Sequence, residues 1–336
     1  MPKEDNRVLV GMNGFGRFAL NLLWWWFNDR HAPYRIGFIN DEQLTPEKIS
    51  SIIKSDSLVT GFRKCKIVLT GTVLMIQAPD GRTEHISISS GPAERAGWLG
   101  EPGIFFECSG GRSSGADLCR PFLVGKTKTV IVSATCYDAD ATLVMGYNHE
   151  SFDPTKHKVV SYGSCTVNPG VVLTATMNDM FCVVGCTVHV IHNVQEHRLL
   201  YSETQTLQRK FCTLERMAPQ LLPFLNGKIA VKYTVIPWAG ASIIDFAFRV
   251  EKPVTREEAV GVLKEAVGKS GRLDGLIGMV SVDNGPGAHI GSPYSMVIVE
   301  DEIEVVGDII HLFGYFYNEG SGIRMHELAK HIVAKL

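Results

Sequence analysis

Short apolar runs alternate with longer segments of helical periodicity through the first 163 residues of the chain. Apolar runs of this length, bounded by polar and turn-forming residues, predict buried β-strands. The predicted strands cover residues 7–11, 34–39, 65–70, 104–107, 129–133 and 158–161. Because helical segments separate these strands, the pattern is typical of an α/β fold with a mostly parallel sheet and helices on both faces.

The pattern changes after residue 163, where long β-type runs follow one another with fewer helices between them. These runs cover 182–194, 229–236, 242–250, 294–300 and 303–314. They predict an α+β domain with a mostly antiparallel sheet. Helices are predicted at 169–180, 256–269 and 324–335, and Thr255 and Glu258 have the spacing of a capping box at the second of them. We therefore predict two domains, one covering 1–163 and completed by a C-terminal helix within 318–336, the other covering 164–317.

A glycine-rich loop follows the first predicted strand directly. Residues 11–19 read Gly-Met-Asn-Gly-Phe-Gly-Arg-Phe-Ala, which gives a G-x-G-x-x-A pattern from Gly14 and leads into an apolar helical stretch. Such glycines let the backbone turn tightly and approach a pyrophosphate, which the helix N-terminus then binds. The second strand is followed by Asp41, near the spacing of a carboxylate that binds the adenosine ribose. The segment predicts a Rossmann-type dinucleotide site, with NAD favoured over NADP because a carboxylate repels a 2′-phosphate; an ordinary turn and a solvated Asp41 are the alternative.

A second chemical motif is the pentapeptide Ser164-Cys165-Thr166-Val167-Asn168. It places a cysteine between two hydroxyl residues, just before a predicted helix. A thiol attacks a carbonyl as the thiolate, so it needs a nearby base and gains from a helix N-terminus. His189 and His192 follow in the chain as candidates for that base. The motif predicts a catalytic nucleophile at Cys165, with a buried structural cysteine as the alternative.

Composition and charge limit the kinds of molecule that the protein is expected to bind. The chain has 336 residues, of which 45% are hydrophobic and 20% charged, ordinary values for a soluble globular protein with two domains. Its formal charge is −2 and it has no basic tract, so we predict neither a nucleic acid nor a membrane as partner. The eight cysteines form no CxxC pair and Cys165 must stay reduced, which favours a cytoplasmic location. The sequence predicts no metal site.

These elements, in this order, resemble the glyceraldehyde-3-phosphate dehydrogenases nearly end to end. Besides the glycine loop and the pentapeptide, the resemblance is carried by residues 39–41, 107–110, 132–134, 144–150, 225–228, 242–245 and 317–319. It implies that the C-terminal helix packs back on the NAD-binding domain. It also implies a homo-oligomer, with a tetramer favoured and a dimer as the alternative.

The resemblance implies a set of site residues as well. The cofactor is NAD, and the residues that contact it are Asn13, Gly14, Phe15, Gly16, Arg17, Asp41, Ser109, Gly110, Ser133 and Asn318. An ungapped register from Cys165 places His192 where the family has its catalytic base, whereas three fewer residues in the preceding turn would select His189. Their odd separation sends them to opposite faces of a strand, so only one can approach the thiol. We favour His192.

By the same resemblance, the Cys165 thiolate adds to an aldehyde and His192 takes the proton. Hydride transfer to the nicotinamide then leaves a thioester, which inorganic phosphate or water cleaves. The site that binds the substrate phosphate departs from the family. Ser164 and Thr166 fit the inner anion site, but the segment that completes it corresponds to Phe211-Cys212-Thr213.

Two further positions differ: the arginine that bridges both anion sites falls at Val235, and the threonine after the catalytic histidine falls at Gln195. The sequence therefore predicts NAD-dependent oxidation of an aldehyde other than glyceraldehyde 3-phosphate. Two alternatives stay open. One is a genuine glyceraldehyde-3-phosphate dehydrogenase that binds phosphate through other residues, such as Arg198, Arg209 or Lys210. The other is a non-catalytic NAD-binding regulator or redox sensor.

Overall fold

The computed structural model describes residues 5–113, 115–194 and 208–336. The chain divides into two compact units. The first contains Met1–Leu143, His149–Gly163 and Gly322–Leu336, and the second contains Val144–Asn148 and Ser164–Ser321. The helices of the described residues are α1 Arg17–Asn28, α2 Pro46–Ser55, α3 Val167–Phe181, α4 Thr213–Leu221, α5 Arg256–Val267 and α6 Gly322–Val333.

The first unit is built on one sheet. Its strands are β1 Val8–Asn13, β2 Tyr34–Asp41, β3 Lys66–Thr70, β4 Val73–Gln77, β5 Thr83–Ser90, β6 Ile104–Glu107, β7 Thr129–Val132, β8 Ala141–Thr142 and β9 Val159–Ser161. Their order is β3-β4-β5-β2-β1-β6-β7-β9-β8. All neighbours are parallel except β3–β4 and β4–β5. The carboxyl ends of β1, β2 and β6 therefore lie at one edge, where ligands of such sheets bind.

Helices α1 and α6 pack together within this unit. Trp26 and Phe27 of α1 are buried, and the Trp26 indole N–H donates to the Tyr34 carbonyl at 2.9 Å. The Tyr34 hydroxyl lies 2.7 Å from Nδ1 of His326 on α6. Trp26 and Phe27 thus belong to the core of this unit, as expected for apolar residues on the buried face of a helix.

The second unit contains a mostly antiparallel sheet. Its strands are β10 Val183–His192, β11 Gln208–Arg209, β12 Ile229–Val235, β13 Ser242–Val250, β14 Ile277–Val280, β15 Met296–Val299, β16 Glu304–Val306 and β17 Ile309–Phe316. The order is β11-β12-β10-β13-β17-β15-β14, and β16 pairs with β17. Among the described strand pairs of this second sheet, only β10–β12 and β14–β15 are parallel.

The predicted fold class is confirmed: an α/β unit with a mainly parallel sheet accompanies a unit whose sheet is mostly antiparallel. Helix ends shift by about two residues from their predicted positions. Residues 144–148 and 318–321 group with the second unit, rather than with the first as predicted. No helix in the described parts of the chain has the length and apolar character needed to span a bilayer.

Candidate active site

The glycine loop joins β1 to α1 in a conformation that requires glycine. Gly14 has φ +85°, in the left-handed region, and a Cβ placed there would come within 2.4 Å of the Ser109 backbone. Gly14 N–H donates to the Asn40 carbonyl at 2.8 Å. Any side chain at Gly14 would therefore be strained and would clash with the loop after β6. This close approach brings the predicted residues Gly14 and Ser109 together.

Asp41 ends β2 beside this loop. Its Oδ2 accepts from the Phe15 N–H at 2.7 Å, and its Oδ1 accepts from the Gln43 and Leu44 N–H groups at 2.9 Å each. A carboxylate offers about four lone-pair positions, so acceptor capacity for a ligand hydroxyl is left over. The carboxylate thus lies at the glycine loop, where the ribose prediction requires it.

A buried polar network holds these strand ends together. Asn13 Nδ2 donates to Glu107 Oε2 at 2.8 Å, and Asn40 Nδ2 donates to Asn13 Oδ1 at 2.9 Å. The Ser109 N–H donates to Glu107 Oε1 at 2.8 Å, and the Ser109 hydroxyl donates to the same oxygen. Burial raises the pKa of Glu107, whereas these hydrogen bonds oppose that shift. No role is predicted for Glu107 from the sequence, although its position at the end of a buried strand is a signal for one.

The residues at the start of α1 suit a dinucleotide phosphate. Gly16 is the N-cap residue, makes no side-chain capping bond, and faces open space where a Cβ would stand. The first turn carries no acidic residue. Helix N-terminal amides attract an anion. The donor set and the open position at Gly16 therefore fit the diphosphate of a dinucleotide such as NAD(P).

The other predicted cofactor residues take the following places. Arg17 pairs with Asp56 at 3.3 Å, and Gly110 has φ +75° in the loop after β6. Ser133 directly follows β7, and its hydroxyl is a hydrogen-bond partner of the Cys108 thiol. Asn318 lies in the second unit, where its side chain hydrogen-bonds to His192.

In the second unit, the Cys165 loop is shaped by hydrogen bonds to Ser164. The Asn168 N–H and its side-chain Nδ2 both donate to the Ser164 carbonyl, at 3.0 and 2.9 Å. The Val167 N–H donates to the Ser164 hydroxyl at 3.1 Å. Cys165 consequently lies two residues before the first residue of α3, where the helix dipole favours negative charge on sulfur.

His192, the last residue of β10, faces this thiol. Cys165 Sγ and His192 Nε2 are 3.6 Å apart. His192 Nδ1 lies 2.7 Å from the Asn193 carbonyl, which can only accept a hydrogen bond. In the neutral ring the proton is therefore on Nδ1, and the Nε2 lone pair points at the thiol. His189 is exposed on the same strand, in register with Asp245 and Lys232, so the structure brings His192 and not His189 to Cys165.

Electrostatics keep this pair neutral. Burial raises the pKa of the Cys165 thiol above its usual range, and the nearby Cys212 and Glu319 raise it further. The Thr166 and Cys165 backbone N–H groups oppose that shift. Burial also lowers the pKa of His192, although hydrogen bonds to the Asn193 carbonyl and the Asn318 side chain oppose this. A buried neutral imidazole beside a thiol can accept the proton as the sulfur attacks an electrophile.

A cluster of hydroxyls surrounds the same loop. Ser164 Oγ lies 3.0 Å from Thr213 Oγ1 and 3.3 Å from Thr166 Oγ1. Thr166 Oγ1 lies 3.6 Å from the buried Cys212 thiol. The structure therefore brings together three of the four residues predicted for the substrate or anion site. The fourth, Gln195, lies outside the described residues.

Val235 lies beside His192 on the neighbouring strand. It pairs in register with His192 across the parallel strands β10 and β12, and only 9% of its surface is exposed. The position predicted to correspond to the family arginine is thus adjacent to His192 and apolar. Arg209 and Lys210 are exposed, whereas Arg198 falls outside the described residues. Hydroxyls, a thiol and an apolar strand residue can hold a neutral substrate without a cation.

The chain is similar over its full length to known proteins. It is 28% identical to the glyceraldehyde-3-phosphate dehydrogenase of Priestia megaterium, covering 98% of this chain and 99% of that protein. It is 27% identical to glyceraldehyde-3-phosphate dehydrogenase 1 of Bacillus subtilis, with the same coverage. For glyceraldehyde-3-phosphate dehydrogenase 2 of a Nostoc species the identity is 24%, again over 98% of this chain and 99% of that protein. No family model matches the chain.

Proposed function

Since the chain is a distant, full-length homologue of the glyceraldehyde-3-phosphate dehydrogenases, a divergent member of that family, we propose that it oxidises an aldehyde with NAD through Cys165. The observation that carries the proposal is the 3.6 Å approach of Cys165 Sγ to the lone pair of His192 Nε2, with Nδ1 held by the Asn193 carbonyl. A nucleophile, a base and a group that orients the base are the three parts of this kind of site.

The proposed reaction begins when Cys165 attacks the aldehyde carbon and His192 Nε2 takes the thiol proton. The new C–S bond leaves negative charge on the former carbonyl oxygen, and return of the proton to it gives a neutral thiohemiacetal. The backbone N–H groups of Cys165 and Thr166, which lie near the sulfur, are the candidates to stabilise that oxygen. In the next step His192 takes the hydroxyl proton as a hydride leaves the carbon.

When bound, NAD supplies the hydride acceptor for this step. In this proposal the glycine loop holds its diphosphate, with Gly16 as the N-cap of α1 and Gly14 packed against the Ser109 backbone. Asp41 accepts a hydrogen bond from the ribose, which favours NAD over NADP. Loss of the hydride leaves a thioester on Cys165, and water or inorganic phosphate breaks the C–S bond to regenerate the thiol.

We propose further that the substrate carries no phosphate group at the position that the family arginine would recognise. Val235 beside His192 supports this, since its own side chain offers no hydrogen-bonding group to a phosphate. The retained hydroxyls of Ser164, Thr166 and Thr213 support the alternative, a genuine glyceraldehyde-3-phosphate dehydrogenase with weaker phosphate binding. From the similarity to the glyceraldehyde-3-phosphate dehydrogenases, the proposal also includes that the protein forms a homo-oligomer and is located in the cytoplasm.

A single-turnover assay tests these possibilities. NADH formation is followed after mixing the protein and NAD with glyceraldehyde 3-phosphate, with or without inorganic phosphate, and in parallel with unphosphorylated glyceraldehyde. A burst with glyceraldehyde alone supports the changed substrate, whereas a burst with the phosphorylated sugar that continues only in phosphate supports the alternative. If neither aldehyde gives a burst while NAD still binds, the chain is a binding or sensing protein and the proposed chemistry is wrong.

The matched control for the nucleophile is a second cysteine variant. Cys165→Ser should abolish the burst with every aldehyde, because a serine hydroxyl is a far weaker nucleophile at neutral pH. Cys65→Ser, which changes a cysteine of the first unit, should leave the burst unchanged. Equal activity in the two variants would rule out the covalent mechanism.

A further inference from the structure

Two histidines and a glutamate converge in the first unit, and none of them belongs to the predicted cofactor or catalytic residues. His149 Nε2 lies 3.5 Å from Glu150 Oε1, and His331 Nε2 lies 3.9 Å from Glu150 Oε2. The two imidazole rings meet edge to face with centroids 5.0 Å apart. Each residue offers one ligand atom, and these atoms all lie within 4.8 Å of one another. Both rings therefore direct a nitrogen at one carboxylate.

One of these nitrogens lacks a hydrogen bond. His331 Nε2 is buried and has no hydrogen-bond partner among the described residues. A buried polar atom without a partner is costly, and in native structures it often marks an unrecorded water or ion. Here the unpaired nitrogen is one of three donors that lie within 4.8 Å of one another, which points to a ligand and not to a packing defect.

The donor set selects the kind of ligand. Two imidazole nitrogens and one carboxylate oxygen are ligands of Zn²⁺, with bonds of about 2.0–2.2 Å. In a tetrahedral site with such bonds, neighbouring donors lie about 3.3 Å apart. Donors that lie within 4.8 Å of one another would have to close by up to about 1.5 Å, and Glu150, whose side chain is 76% exposed, is free to move toward the rings. Its exposure also leaves room for water as a fourth ligand.

The cluster joins two parts of the first unit that are distant in sequence. His149 lies in a helical turn, His149–Ser151, between β8 and β9, and His331 lies in the last turn of α6. Lys335 Nζ donates to the Glu150 carbonyl at 2.6 Å and lies 3.7 Å from Oε2. A cation already approaches this carboxylate, so a divalent ion bound there would displace the lysine contact to Oε2.

We propose that His149, Glu150 and His331 form a zinc-binding site that ties helix α6 to the turn before β9. The site goes beyond the proposed oxidation and uses none of its residues. Because zinc binds only the folded arrangement of these residues, it should stabilise the first unit in proportion to its occupancy. His149 and His331 are 182 residues apart in the chain, which explains why the site could not be predicted from a short sequence motif.

Equilibrium dialysis of the full chain against Zn²⁺, with metal counted by atomic absorption, tests the proposal. The proteins are the wild type, Glu150→Gln, His331→Ala and, as the matched control, His85→Ala, which removes an exposed histidine of the same unit. All four keep the eight cysteines, so zinc held by thiols is a background common to them. Glu150→Gln replaces an exposed carboxylate with a group of the same shape, so a folding defect cannot account for its result.

We expect one zinc ion above the thiol background in the wild type and in His85→Ala. We expect binding at least tenfold weaker in Glu150→Gln, and no such ion in His331→Ala. Zinc should also raise the melting temperature of the wild type more than that of Glu150→Gln. Equal zinc affinity in all four proteins would overturn the proposal, as would a wild type that binds zinc only through thiols, shown by loss of all binding after alkylation.

Discussion

Restoring a cation at Val235 is the sharpest test of the proposed substrate change. The residue ends β12 in register with His192, and 9% of its surface is exposed. A longer charged side chain introduced by Val235→Arg would start beside the catalytic pair. We expect this variant to shift preference toward phosphorylated aldehydes.

The magnitude follows from the interaction gained and the desolvation that opposes it. A hydrogen bond between charged groups contributes about 1.5–3 kcal/mol, and about 1.4 kcal/mol corresponds to a tenfold change. The upper limit is therefore roughly a hundredfold in kcat/KM. Because Val235 is largely buried, the guanidinium loses part of its hydration when it takes that place, and this cost opposes the gain. We expect an increase of about tenfold in the ratio of kcat/KM for glyceraldehyde 3-phosphate to that for glyceraldehyde.

The assay measures this ratio from NADH formation for the wild type, Val235→Arg and Val235→Met. Methionine adds length without charge, so it separates the effect of the cation from a change in pocket shape. Circular dichroism confirms that the variants fold. An unchanged ratio in Val235→Arg, or an equal rise in Val235→Met, would show that the position does not face the substrate phosphate.

Four more predictions test the glycine loop, the cofactor and the thiol. Asp41→Asn should weaken NAD binding more than NADP binding in a fluorescence titration; an equal loss for both would refute the ribose contact. Gly16→Ala should fold normally and weaken NAD about tenfold or more, because the added methyl group fills the open position at the helix N-terminus. Gly14→Ala should lower the melting temperature instead, since φ is +85° and the Ser109 backbone lies 2.4 Å from the added carbon; a melting temperature equal to that of Gly16→Ala would contradict this. Burial raises the pKa of Cys165, so its thiolate fraction without NAD should keep rising about tenfold per pH unit from pH 7 to 9; a plateau of its iodoacetamide labelling below pH 8, measured by peptide mass spectrometry, would contradict that assignment.

Regular elements with strong local patterns could be predicted from the sequence. The capping box of Thr255 and Glu258 is present, and α5 begins at Arg256 as predicted. Strands β4 and β5 were missed: they pair as antiparallel neighbours near the sheet edge, and β5 carries polar residues between its apolar ones. The parallel pairing of β10 with β12 could not be predicted either, because it depends on which distant strand lies alongside.

In the candidate site, too, some features could be predicted from local sequence and others depend on residues that are distant in the chain. Periodicity on a strand already required that His189 and His192 point to opposite faces, and the structure brings His192 to the thiol. The proton position on His192 could not be predicted, because it depends on the Asn193 carbonyl lying 2.7 Å from Nδ1. Nor could the contact of Glu107 with Asn13, which joins residues on two strands. Short sequence motifs therefore indicate which side chains are reactive, whereas the orientation of those side chains depends on contacts between distant residues.

Contacts that fix the thiol and its base are mostly to the backbone. The Ser164 carbonyl holds the Asn168 side chain, and the Asn193 carbonyl holds His192. In the proposed function, recognition of the substrate rests instead on side chains such as those of Cys212 and Val235, and neither side chain takes part in those backbone contacts. Under the proposed function, a change of substrate therefore needs no change in the covalent chemistry. This separation explains how a chain can keep Cys165 and His192 in contact while it carries valine where the family has its phosphate-binding arginine.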